Sequence, residues 1–343
     1  MNPGETRSDL AIYSKKFETL KGLIGNTPLV AITLSYKART YTIYAKAEYY
    51  NYTGSIKDRI ALHILKSSFR AGLIQPHYEI AEATSGNTGI AFSALGRLLG
   101  HNVNIFMPNW MSRERVAMIQ GYGANVISIS PEQGGFLGSI SHCEDYAKSH
   151  PYVFLPRQFS NKLNSEAHYL TTGPEIHRQL IKGYSKSLNG FVAGVGTGGT
   201  VMGVGKYFKS LDSKINIIPV EPAESPTLST GYKVGKHRIQ GISDEFIPDL
   251  LDLKSLDPIC AIPDGDAILM AQKLSRDLGL GVGISSGANI LAALKLNEQL
   301  GTDAVVATIL CDDNKKYLST DLMKNEPVKE DYLSPQVQLL DMQ

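Results

Sequence analysis

The sequence predicts an α/β protein made of two α/β domains whose sheets lean towards parallel, and three observations carry that expectation. Apolar periodicity switches repeatedly between the strand and helix periods along the chain. Glycine or another turn residue punctuates the switches. The 343 residues suffice for two compact domains around one site. Strands separated by helices pair in parallel, because a helical crossover brings the chain back in the same direction.

The first series opens with the strand IYAKAE (43–48), then a helix from Lys57 to about Arg70, the strand YEIAEA (78–83) and a helix over TGIAFSALGRLL (88–99). It continues through the strand VNIFM (103–107), a helix opening at Ser112 and the strand NVISIS (125–130), with Gly100 and Gly123 as helix stops. The second series has the strand YVFL (152–155), a helix from about Ser165 to Lys182, the strand GFVAGVG (190–196) and a helix from Thr200. The strand INIIPVE (215–221), helices from Gly265 and Ser286, and the strand AVVATILC (304–311) complete it. Residues 323–343, rich in charge and proline, read as a mobile tail whose VQLLDM end could equally pack on a neighbour.

Composition narrows the partners. With 34 basic against 33 acidic residues, scattered rather than clustered, the chain carries no electrostatic footprint for nucleic acid or an anionic membrane, so a small molecule is expected. Cys143, Cys260 and Cys311 lie far apart without zinc or disulfide spacing, and the eight histidines show no metal-ligand spacing, so no metal is expected. Cys311, after an apolar strand, reads as a core thiol. No apolar run suits a signal peptide, and none approaches the ~20 residues of a membrane helix, so a soluble, cytoplasmic protein is expected.

Four polar, glycine-rich turns sit where strands end and helices begin, the place where parallel sheets bind ligands. NYTGSIKDR (51–59) puts Lys57 in a first helical turn, where the dipole and burial disfavour an ammonium and suit imine chemistry; a solvated surface lysine is the competing reading. EATSGNTG (82–89) strings Thr84, Ser85, Asn87 and Thr88 at a helix start, suited to an amino-acid carboxylate or simply to capping. GVGTGGTVMGVG (194–205) lets backbone amides approach an anion, most plausibly a phosphate; it ends in no GK[ST] and is followed by no acidic residue of the dinucleotide-binding kind. GVGISSGAN (281–289) offers Ser285 and Ser286.

In this order, these segments resemble the cysteine synthase (O-acetylserine sulfhydrylase) family and its relative cystathionine β-synthase, fold-type II pyridoxal-phosphate enzymes. The resemblance runs from IGNTPLV (24–30) through KDR, ATSGNTG, MPNWMSRERVAMIQGYGA, QFSNKLNSEAHYLTTGPEI, GTGGT, FIPDLLD and SSGA to YLSTDL (317–322). It implies the tryptophan-synthase-β-like architecture: a larger domain of residues 1–49 plus 161–322 that binds the cofactor phosphate, and a smaller mobile domain of 50–160 that binds substrate. It implies pyridoxal 5'-phosphate as cofactor, with Lys57 as its Schiff-base lysine and α-carbon base. Asn87 would face the cofactor's 3'-oxygen, Gly196, Thr197, Gly198, Gly199 and Thr200 would cradle the phosphate, and Ser285 would face the pyridine nitrogen. Thr84, Ser85, Thr88 and Gln158 would grip the substrate carboxylate.

The implied reaction is β-replacement or β-elimination on a serine- or cysteine-type L-amino acid through an aminoacrylate. Cysteine synthesis from O-acetylserine and sulfide is the family default; hydrogen sulfide release from L-cysteine and cystathionine synthesis are the alternatives. A catalytically silent regulatory scaffold is the reading from another class. The resemblance also implies a homodimer and a possible docked serine acetyltransferase tail. Two departures stand out. Tyr52 replaces the family's proline, and Gly241-Ile242-Ser243-Asp244-Glu245-Phe246-Ile247-Pro248 carries two acids where relatives border the second-substrate site. Asp244, before Glu245, is the candidate base or orienter for the incoming nucleophile, against a solvated loop acid. Near the C-terminus, 311–317 departs from the family's acidic-glycine turn, and no catalytic role is read for it.

Overall fold

The computed structural model describes residues 7–243 and 245–343, and its strands form two sheets. In chain order the strands are β1 (Leu29–Tyr36), β2 (Arg39–Ala47), β3 (Glu79–Ala83), β4 (Val103–Pro108), β5 (Asn125–Ile129), β6 (Val153–Phe154), β7 (Gly190–Gly194), β8 (Asn216–Pro222), β9 (Cys260–Ile262), β10 (Val306–Leu310) and β11 (Gln338–Met342). The larger sheet runs β11-β1-β2-β10-β7-β8-β9, and the smaller β5-β4-β3-β6. Every pair in the smaller sheet is parallel. In the larger one, β1 pairs antiparallel with β2 and β11, and the rest is parallel.

The helices are α1 (Arg7–Leu23), α2 (Lys57–Arg70), α3 (Asn87–Leu99), α4 (Arg113–Gly121), α5 (Gly135–Ser149), α6 (Leu163–Ala167), α7 (Gly173–Gln179), α8 (Gly199–Leu211), α9 (Thr227–Thr230), α10 (Asp264–Leu278) and α11 (Ile284–Leu300). α2 turns Ile60, Ala61, Ile64 and Leu65 inward against Ile90, Ala91, Ala94 and Leu95 of α3, the spacing of a single apolar face. α11 is apolar nearly all round, so it lies buried between α10 and the larger sheet, and all five residues of β10 are buried too. Carboxyl ends of β3, β7 and β10 therefore open towards one cleft, with α3 and α8 starting just beyond β3 and β7.

A buried ionic network braces the C-terminal end of β2. Arg59 Nε lies 2.6 Å from Glu48 Oε2, and Glu175 Oε2 lies 2.8 Å from both Arg59 Nη2 and Lys46 Nζ. Burial pushes the Glu175 carboxyl up, but hydrogen bonding to Arg59 and the charges of Arg59 and Lys46 outweigh it and hold the group at about 2.

Two expectations change. The single helix from Ser165 to Lys182 is broken into α6, a π-turn at His168–Thr172, α7 and a second π-turn at Leu180–Tyr184. Pro174 lacks an N–H and its ring crowds the carbonyl four residues back, so the ladder widens there instead of running through. The C-terminal residues are not a loose tail: β11 joins the edge of the larger sheet, and Tyr332 and Val337 are buried. Their apolar side chains cover α10, with Leu333 and Ser334 N–H groups donating to Asp266 at 2.8 Å. The structure also adds α1, β1 and α5, which the periodicity does not single out.

Candidate active site

Each predicted turn contributes to one cleft lined by Lys57, Thr84, Ser85, Asn87, Thr88, Gln158, Gly196, Thr197, Gly198, Thr200 and Ser285. Gly199 begins α8 directly behind it. Asp244 lies outside the described residues. Glu245 pairs with Lys233 in an adjoining wider cleft.

Lys57 is the first residue of α2 and half-buried; its N–H donates to Ser55 Oγ at 3.3 Å. On the opposite wall, β3 ends at Ala83 and the chain turns sharply at Gly86, whose φ of +159° and ψ of −83° suit a residue without a Cβ. A Cβ there would sit 2.2 Å from Arg115 Cδ. Thr84 Oγ1 accepts from Gly86 N at 3.0 Å, and Asn87 opens α3. Thr88 donates to Gln158 Oε1 at 2.6 Å, and Gln158 Nε2 donates to Ala83 O at 2.7 Å, so two of the expected carboxylate-gripping residues are held to each other and to the end of β3.

Gln158 is in turn tied to the glycine turn. Asn164 Nδ2 donates to Gln158 O at 2.8 Å and to Thr197 Oγ1 at 2.9 Å, while Thr200 Oγ1 contacts His168 Nε2 at 3.3 Å. Burial pushes the His168 ring well below its ordinary pKa, so it is neutral there.

The residues fit pyridoxal phosphate. A Cβ at Gly196 would lie 2.4 Å from Gly241 O, and one at Gly199 would lie 1.8 Å from Asn164 Oδ1, so only bare backbone can form this turn. It leads into the N-terminus of the 13-residue helix α8, whose first N–H groups lack intrahelical partners and favour an anion. Ser285, 4% exposed, stands in the first turn of α11 on the far wall.

Two lining or supporting residues escaped the sequence reading, and Cys311, read as a core thiol, packs against the core while also reaching the cleft. Glu82 is buried beneath the Thr84–Thr88 turn and accepts from Ala83 N and Gln158 N; burial pushes its carboxyl up to about 8. Arg115 lines the cleft at 2% exposure, stacked 4.6 Å from the Tyr317 ring centroid. At Cys311, burial pushes the thiol up to about 11, which keeps it a thiol rather than a nucleophilic thiolate. The only local signal for these was their position within or beside a turn motif.

Comparison with known proteins agrees with this geometry. A family model described as pyridoxal-phosphate dependent enzyme matches residues 20–312. A cysteine synthase of Staphylococcus aureus is 38% identical over 308 residues, covering 90% of this chain and 97% of that protein. A hydrogen sulfide-producing enzyme from Fusobacterium nucleatum superimposes with a TM-score of 0.93 at 55% identity, covering 96% of this chain and 98% of that one. An aspartate-to-asparagine mutant of that enzyme has been solved in complex with an α-aminoacrylate intermediate. A cysteine synthase from Entamoeba histolytica gives a TM-score of 0.81 at 36% identity, covering 96% and 95%. Among the described residues, no helix is long and apolar enough to cross a membrane.

Proposed function

Because the chain belongs to the family of pyridoxal-phosphate dependent enzymes, we propose that it carries out β-elimination and β-replacement on a serine- or cysteine-type L-amino acid, with Lys57 as the lysine that holds the cofactor. The observation that carries the reading is the convergence of Lys57, the Thr84–Thr88 turn and the Gly196–Thr200 turn on one cleft. Pyridoxal phosphate, when bound, supplies an electron-withdrawing ring that labilises the α-proton and the β-substituent. Around it, Gly196–Thr200 would hold the phosphate and Ser285 would serve the ring nitrogen. Asn87 would serve the 3'-oxygen, and Thr84, Ser85, Thr88 and Gln158 would take the substrate carboxylate. Lys57 Nζ would move the substrate's α-proton. Lys57→Ala is expected to abolish the visible absorbance of the lysine-bound cofactor and to cut turnover by at least about 10²–10⁴-fold. A variant that kept both would sink the assignment.

Cysteine synthesis is the family default, yet the 55% identity to a sulfide-producing enzyme, against 36–38% to two cysteine synthases, favours release of sulfide from L-cysteine. Asp244 fits that direction as the group that takes a proton from the nucleophile, since Glu245 is engaged by Lys233. Replacing Asp244 by Asn is expected to lower sulfide release by about 10²–10⁴-fold with cofactor absorbance unchanged. Unchanged release would return Asp244 to the role of a solvated loop acid.

The same reading treats residues 50–160 as a smaller unit that closes on the carboxylate against 1–49 plus 161–322. It also treats the protein as a cytoplasmic homodimer, the commonest closed assembly, with a serine acetyltransferase tail as a candidate partner. Sedimentation with and without such a tail peptide tests both.

A further inference from the structure

Three of the turns around the cleft meet just past the end of β10, at Cys311 and Asp312. Cys311 O accepts from Ile56 N at 2.9 Å, beside Lys57. Its N–H donates to Ser286 Oγ at 2.9 Å, and Asp312 O accepts from Gly283 N at 3.1 Å, which together hold the start of α11 and so Ser285. The third turn is held by a side chain: Asp312 Oδ2 accepts from Asn87 Nδ2 at 2.7 Å. The same oxygen accepts from Tyr317 OH at 2.8 Å, and Asp312 is fully buried.

A side-chain amide can turn either its oxygen or its nitrogen to a neighbour, and the neighbour's chemistry decides which. An ionised carboxylate only accepts, so it demands the Asn87 nitrogen. That leaves the second Nδ2 hydrogen as a donor, while Asn87 Oδ1 stays buried without a protein partner. The reversed amide would set two acceptors against each other in a buried place, which is costly. Two basic side chains pack beside this cluster: Lys316, buried with Nζ donating to Gly54 O at 2.7 Å, and Arg115, stacked on Tyr317.

We infer that Asp312 is a positioning residue for cofactor binding: by accepting one Asn87 Nδ2 hydrogen, it fixes the amide so that the other serves the 3'-oxygen of pyridoxal phosphate. The inference rests on the proposed placement of Asn87 at that oxygen.

The test is a double-mutant cycle on the apo-protein, read as the dissociation constant for added pyridoxal phosphate and as the absorbance maximum of the reconstituted protein. Asp312→Ala is expected to weaken cofactor binding about tenfold, the scale of one hydrogen bond, and to move the absorbance maximum as Asn87→Ala does. Asp312→Asn, which keeps an acceptor in the same place, is expected to restore affinity to within about twofold. In the Asn87→Ala background, Asp312→Ala is expected to add less than about twofold. Equal losses in both backgrounds would mean that the Asp312 side chain acts independently of Asn87, for example through Tyr317, and would overturn the inference alone. No loss from Asn87→Ala would overturn the placement of Asn87 and the inference with it. If Asp312→Ala does not fold, Asp312→Ser, whose hydroxyl is too short to reach Asn87, takes its place in the same cycle.

Discussion

Glu82 is the last residue but one of β3, and both of its oxygens accept from backbone N–H groups, Ala83 at 2.9 Å and Gln158 at 3.2 Å. Because burial raises its pKa to about 8, the native state keeps this proton over a range in which the unfolded chain, titrating near 4.5, has lost it. Stability therefore falls as pH rises from about 4.5 through 8. Glu82→Gln, permanently neutral and nearly the same shape, is expected to flatten that fall, and thermal unfolding from about pH 6 to 9 would show it. An unchanged slope would move the effect elsewhere. Lys57, Thr84, Ser85, Asn87 and Thr88 were legible in the sequence because turn chemistry is local. Ser285 was singled out by its turn as well, whereas Gln158 needed the family resemblance. Glu82, Arg115 and Asp312 were not legible, since what they do follows from burial and from partners that the chain meets only after folding.

Among the elements, those with strong start signals were found nearly to the residue: α2 begins at Lys57, α3 at Asn87 and α8 at Gly199. The helix expected over Ser165 to Lys182 was found, but its break before Pro174 was missed because apolar periodicity continues across it, whereas the regular hydrogen-bond ladder does not. β11 was missed because five residues are too few to show a period of their own, and its strand form comes from pairing with β1. The turn before α8 was recognised by its glycines, and space explains them. Gly196→Ala would force a methyl to within 2.4 Å of Gly241 O. It is expected to destabilise the fold by about 1–3 kcal/mol through overpacking. Pyridoxal phosphate binding should weaken as well, and denaturant unfolding together with cofactor titration checks both.

Across the whole molecule, Glu175 links α7 to α2 and β2 through Arg59 and Lys46. Glu175→Gln leaves those cations with one partner fewer in a buried place, and a loss of about 3–5 kcal/mol is expected. With a native pKa near 2 against 4.5 unfolded, the stability it adds is complete above about pH 4.5 and drains away as pH falls towards 2. Acid unfolding of wild type and variant should therefore converge at low pH. Ending the chain after Asp331 would strip Tyr332 and Val337 from α10 and bare the edge of β1. A lower melting temperature and increased light scattering are expected.

The meeting of distant turns at Cys311 and Asp312 also bears on how the protein is made. Asn87 and Asp312 are 225 positions apart, and Gly54 and Lys316 are 262 apart. At a ribosomal pace of about 5–20 residues per second, Asn87 waits roughly 10–45 s for its carboxylate partner to be synthesised. Early segments can collapse in that interval, but the lysine turn has no finished wall to face. A nascent chain is thus expected to bind pyridoxal phosphate tightly only after residues 311–317 have been made.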